Sequence, residues 1–223
     1  MERTPASGTL SPAQREALRA SEVEPSLFTL VERWLERTPF LEVPGFAFWE
    51  HYRDAVRVMI AADRATILGN AALTAAEQKG QLAQLAETEA SFAAVLDEAA
   101  HARRVAEGSR RLSHAATRAA LFIHLYRDQP ILHLPFRFLT LLVDVDEQLA
   151  TWRYRHALMV HRMIGTKIGT GGSSGHRYLL ATVERNKVFG DLYDLSTFLI
   201  SRSALPALPD AMERRLGFHF PRE

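Results

Sequence analysis

The chain has 223 residues, 47% of them hydrophobic, with 27 Lys and Arg against 26 Asp and Glu. That length suits one large domain or two small ones, and the near balance of charge gives no electrostatic case for nucleic acid or an anionic membrane as partner. There is no cysteine, which excludes disulfides, thiolate metal sites, cysteine nucleophiles and covalently attached c-type heme.

The N-terminus, "MERTPASGTLSPAQREALRA", lacks the basic-then-apolar order of an export signal. No apolar run reaches the roughly 18 residues of a membrane helix. The absence of cysteine points to the cytoplasm, and both these features agree with it. Residues 1–24 read as a short N-terminal segment in which Ser11 caps a helix that has Pro12 at its first position. In "PSLFTLVERWLER", Leu27, Leu30, Val31, Trp34 and Leu35 recur at three- and four-residue steps, the spacing of a helix face. "RTPFLEVPGFAFW" then breaks the pattern with two prolines and a glycine, as a turn rich in aromatic residues.

From Glu50 to about Asp128 nearly every residue is a good helix former, with Gly80 and Gly108 as candidate ends or weak points. Segments that alternate with period two are few. The fold class is therefore all-α, a helical bundle. After Pro130 and Pro135 comes the longest pattern. From Pro135 to Ile164, the residues Leu142, Val145, Leu149, Trp152, His156, Met159 and Met163 form one apolar stripe. The pattern predicts one helix, central in the bundle and buried on both sides.

His156 lies within that stripe. An imidazole facing a core must satisfy two polar nitrogens. One reading is a core histidine bonded to a carbonyl or carboxylate. The other is an axial ligand, since an imidazole in a slot lined by methionine and tryptophan suits heme iron. His161 follows five residues on, about 140° round the helix, so the pair lacks the His-x-x-x-His spacing of a zinc site.

Directly after the helix, "GTGGSSG" places four glycines, two serines and a threonine between Gly169 and Gly175. No Gly-Lys-Ser/Thr closes the stretch, so it is not a P-loop. Ser174 occupies the place of the third glycine of a dinucleotide fingerprint. So many glycines beside hydroxyls suit close approach of the backbone to a ligand, and equally a flexible connection.

"WRYRHALMVHRMIGTKIGTGGSSGHRYL" resembles the heme segment of the tryptophan 2,3-dioxygenase family. "LVERWLERTPFLEVPGFAFWEHYRDAV", "LPFRFLTLLVDVDEQLATWRYRH", "KVFGDLYDLSTFLI" and "LPALPDAMERRLGFHF" resemble further stretches of it in the same order, from about Leu10 onward. The resemblance implies a single all-helical domain over 1–223 that binds heme b noncovalently, assembles as a homotetramer and adds both atoms of O2 to L-tryptophan. The product is N-formyl-L-kynurenine, the entry to the kynurenine pathway of tryptophan catabolism. The family's heme-ligating histidine falls on His156. Its loop threonine, which contacts the substrate ammonium, falls on Thr170, fourteen residues on. Residues 165–176 become a lid loop over the substrate.

One departure stands beside this. The family carries a Phe-x-x-x-His stretch on the distal side of the heme and a Tyr-x-x-x-Arg pair whose arginine binds the substrate carboxylate. The first histidine here is His51, already inside the central turn region. On this reading the distal-side helices are lacking, and no catalytic residue is carried over. Two alternatives therefore stay open: a heme-binding homologue acting as an indole-modifying oxygenase of secondary metabolism, and a non-catalytic module that binds tryptophan or heme.

Overall fold

The computed structural model describes residues 11–38, 46–165 and 187–217. Every regular element among them is helical, as expected. Helix α1 (Pro12–Val23) starts as the sequence predicts. Ser11 accepts the Gln14 backbone N–H, Gln14 reaches back to the Ser11 N–H, and Pro12 occupies the first turn. Helix α2 (Leu27–Glu36) is capped by Ser26 and buries Val31 and Leu35, leaving Leu27 and Leu30 exposed. Most of the turn that follows lies outside the described residues.

The long run of helix formers divides into four helices, each break made by a polar cap. Helix α3 (Phe48–Gly69) stops at Asn70. Helix α4 (Ala75–Leu96) begins at the Thr74–Glu77 capping box. Asp97 ends α4 and, by accepting the Ala100 N–H, opens α5 (Glu98–Ala106). Gly108 follows α5 at φ 73°, a conformation that favours glycine, so it marks an end as expected. Gly80 does not: it sits inside α4 with open space around it.

Helix α6 (His114–Leu125) is the centre of the bundle. Ala116, Thr117, Ala119, Ala120, Leu121, Phe122, Ile123 and Leu125 are all buried, so it is apolar nearly all round. It packs on α2, α4, α5 and the helix that follows it. Its alanines let those neighbours approach, and Phe122 meets Phe48 edge-on at 5.1 Å.

That following helix, α7 (Pro130–Ile164), corrects two expectations. It begins five residues early, because Pro130, with φ fixed and no N–H to satisfy, suits a first turn. Pro135 is then carried inside the helix and gives no hydrogen bond to the preceding turn. The helix is also not buried on both sides. Leu139, Leu142, Asp146 and Ala157 face the body, whereas Val145, Leu149, Trp152, Met159 and Met163 are exposed. No described element lies over that stripe, and α6 takes the central place instead.

The chain returns at Lys187 and runs through α8 (Gly190–Asp194), the 3-10 turns Leu195–Phe198 and Arg202–Ala204, and α9 (Asp210–Leu216). Side chains of the bundle hold this return. Asp191 accepts the backbone N–H groups of Arg111 and Leu112 at 2.8 and 2.7 Å. Asp146 of α7 accepts the N–H of Phe189. Tyr52 donates to the Phe198 carbonyl and Tyr126 to that of Pro206. Burial pushes both phenols above their ordinary range.

Two results are expected from these contacts. Asp191→Ala removes the acceptor of two backbone bonds, each charge-assisted and worth about 1.5 kcal/mol, so it destabilises the fold by about 3 kcal/mol. Asp191→Asn keeps an acceptor oxygen and loses less. Urea unfolding at constant m-value reads both, and equal midpoints for wild type and Asp191→Ala would refute the anchor.

The second result concerns acid. Burial of His124, reinforced by the Arg127 charge, pushes its imidazole down from 6.5 to about 4. Between those values the folded state binds fewer protons than the unfolded state. The stabilisation is therefore complete above about pH 6.5 and is lost as pH falls through about 4. Its full size is about 3 kcal/mol. Burial shifts His114 in the same direction. His124→Phe should flatten part of the fall in urea midpoint between pH 7 and pH 4.5; an unchanged fall would assign it to other groups.

Candidate functional site

The exposed stripe of α7 runs about 100° round the helix from its buried face. Towards its C-terminal end it carries the side chains singled out by sequence. His156 is half-buried, and its ring stacks on Trp152 with centroids 5.5 Å apart and planes 8° apart. Four residues separate them, one helical turn, so the stack follows directly from the spacing. Trp152 is 62% exposed and Met163 75%. Beside the stack, Arg155, Leu158, Met159, Arg162 and Met163 line an open crevice of about 500 Å³. The result is an apolar face with one aromatic-backed imidazole and two guanidinium groups at its side.

His161 is half-buried on another side of α7. The helix ends at Gly165, whose N–H meets the His161 carbonyl at 2.8 Å and whose φ of 64° needs glycine. Thr170, and the loop from 166 onward, lie outside the described residues. The structure therefore places His156 and leaves Thr170 unplaced.

The chemistry of this face can be tested against heme. Among the described residues no three His, Asp or Glu side chains gather closely enough to hold a metal ion. Porphyrin iron brings four ligands of its own, so a single histidine such as His156 suffices to hold it. The apolar surface around Trp152, Met159 and Met163 suits a porphyrin face, and Arg155 and Arg162 suit its carboxylates. The residues present fit the group.

Sequence reasoning missed the two buried carboxylates, Asp146 and Asp191. The signal for Asp146 was a charge breaking an apolar run, "LLVDVDEQL". It also missed an apolar groove of about 560 Å³ between α2 and the start of α7, where Trp34 meets Phe138 edge-on at 5.4 Å.

Residues 7–199 match the family model described as tryptophan 2,3-dioxygenase. The tryptophan 2,3-dioxygenase of Bdellovibrio bacteriovorus is 51% identical over 197 residues, covering 88% of this chain and 55% of that protein. Its counterpart in Alteromonas mediterranea is 46% identical over 210 residues, covering 94% and 58%. That of Dictyostelium discoideum is 43% identical over 205 residues, covering 92% and 51%. The chain spans just over half the length of the curated relatives it matches.

Proposed function

The chain belongs to the tryptophan 2,3-dioxygenase family, and we propose that it binds heme b through His156 and serves the oxidative opening of L-tryptophan. In that reaction O2 adds across the C2–C3 bond of the indole. The bond breaks, one oxygen atom ends on each carbon, and N-formyl-L-kynurenine is the product. The observation that carries the reading is the Trp152–His156 stack on an exposed apolar face with two arginines beside it.

Heme, when bound, supplies the redox chemistry that O2 requires. The chain supplies the rest. The His156 imidazole offers its lone pair, and Trp152 fixes the ring plane by stacking. Arg155 and Arg162 would neutralise the carboxylates of the cofactor. Thr170 is assigned the substrate ammonium, and residues 165–176 the cover over the amino acid. The whole chain acts as one heme-binding domain, in the cytoplasm and as a homotetramer. Its exposed α7 stripe supports assembly, since contiguous apolar surface of this kind favours association. No helix among the described residues is long and apolar enough to cross a membrane.

The test is a heme titration followed by absorption, repeated with L-tryptophan. Stoichiometric binding with an imidazole-ligated spectrum that L-tryptophan perturbs supports the reading. Heme binding that ignores L-tryptophan points to a heme module without this substrate. Absence of binding removes the proposal.

A further inference from the structure

Away from the α7 stripe, a small notch lies where the end of α6 meets the C-terminal return. It is lined by His124, Leu125, Arg127, Asp128, Leu199, Ile200, Arg202 and Leu205, and its volume is about 140 Å³. His124 lines it, and the Nε2 atom of that ring is buried with no hydrogen-bond partner. A buried polar atom left unpaired costs about 1–3 kcal/mol. The ring itself is held in place, edge-on to Phe136 at 5.1 Å. The Arg127 guanidinium also lies over the Phe136 ring, 5.3 Å from its centroid. Among the described residues no carboxylate pairs with Arg127. Arg202 pairs with Asp128, through one of its nitrogens. A guanidinium has five N–H donors, so this pairing leaves donors over.

The notch thus combines two guanidinium groups, one carboxylate and one buried imidazole nitrogen. Its net charge is positive. Burial keeps the imidazole neutral at pH 7, so one ring nitrogen carries a proton and can donate. The volume would hold about four waters or one small oxyanion. It falls well short of the roughly 300 Å³ at which pockets for larger organic ligands begin, so an indole amino acid is excluded.

We propose that this notch binds a small oxyanion, a phosphate or a carboxylate, between Arg127 and Arg202, with His124 Nε2–H donating to it. Arg127 and His124 belong to the α6–α7 corner, whereas Arg202 belongs to the C-terminal return. The bound anion therefore ties the two together, beside the Tyr126–Pro206 hydrogen bond that already joins them. Asp128 limits the affinity, because its own carboxylate faces the same arginine. The site is independent of heme and of His156.

The experiment uses the full chain with inorganic phosphate, acetate and sodium chloride at matched ionic strength, read by NMR of the His124 ring. Saturable movement of the His124 signals by phosphate or acetate, absent with chloride, is expected. Arg202→Gln should weaken that binding at least tenfold and abolish the accompanying rise in Tm. His124→Phe, which keeps the aromatic contact with Phe136, should weaken it several-fold. Saturation by phosphate alone assigns a free phosphate or phosphate ester; saturation by acetate alone assigns a carboxylate. Equal responses to all three salts would mean ionic strength only and overturn the proposal. So would an Arg202→Gln variant that binds as tightly as wild type. Silent His124 signals would overturn it as well.

Discussion

Heme-loaded protein carrying His156→Ala is expected to lose the absorption bands of an imidazole-ligated iron, whereas His161→Ala keeps them. The expectation rests on how each histidine is engaged. His156 stands on the exposed stripe, backed by Trp152. His161 lies about 140° away round the same helix, so both cannot face one porphyrin. His101 is buried, its Nε2 spent on the Leu112 carbonyl, and His114 holds the Val95 carbonyl in the same way. Added free imidazole should restore the bands of His156→Ala, which a misfolded protein would not allow. Trp152→Ala should keep the ligation and weaken heme binding by about two- to tenfold, since an aromatic stack contributes about 0.5–1.5 kcal/mol. Unchanged bands in His156→Ala would sink the assignment, whatever the activity.

The helix period made α7 and its stripe legible before any coordinates. It shows which residues share a face; it does not show whether anything covers that face. Val145, Trp152 and Met163 are apolar and in phase, which predicts core, yet they are exposed. The buried helix is α6, whose "HAATRAALFIHL" has too many small residues to look like a centre. Small residues are what allow several helices to close around one. Caps such as Ser11 and Thr74 are local and could be read from four residues. Asp191 could not. Its partners Arg111 and Leu112 are about eighty residues away, and only the fold brings their N–H groups to its carboxylate. Pro135 misled in the opposite sense, because a proline can stay inside a helix whose first turn is set by an earlier one. The notch at His124 joins two distant segments and has no sequence signature at all.

The last expected result is that this chain alone oxidises L-tryptophan slowly, at least about a hundredfold below a polypeptide that also carries the part of the relatives outside the match. A little under half of each relative lies there. The face that bears His156 is open: Trp152 is 62% exposed, and Met159 and Met163 are exposed beside it. Water at such a face weakens every electrostatic contact made there. Orientation suffers as well. On the proposed reading Thr170 holds the ammonium, but an amino acid held at one end rotates. The resemblance assigns the carboxylate to an arginine in a Tyr-x-x-x-Arg pair that has no counterpart among these residues. A bidentate arginine–carboxylate contact contributes about 1.5–3 kcal/mol, or roughly ten- to a hundred-and-fiftyfold, before positioning is counted. Positioning adds to that, because the reacting atoms must meet within a narrow range of distance and angle. The measurement is formation of N-formylkynurenine by reduced, heme-loaded protein. The chain alone is compared with a fusion to the unmatched portion of the Bdellovibrio bacteriovorus relative. His156→Ala in both backgrounds sets the baseline. Equal rates for the chain and the fusion would show that an open face and a single contact suffice. A rate that appears only in the fusion would show that the α7 stripe works as one half of a site.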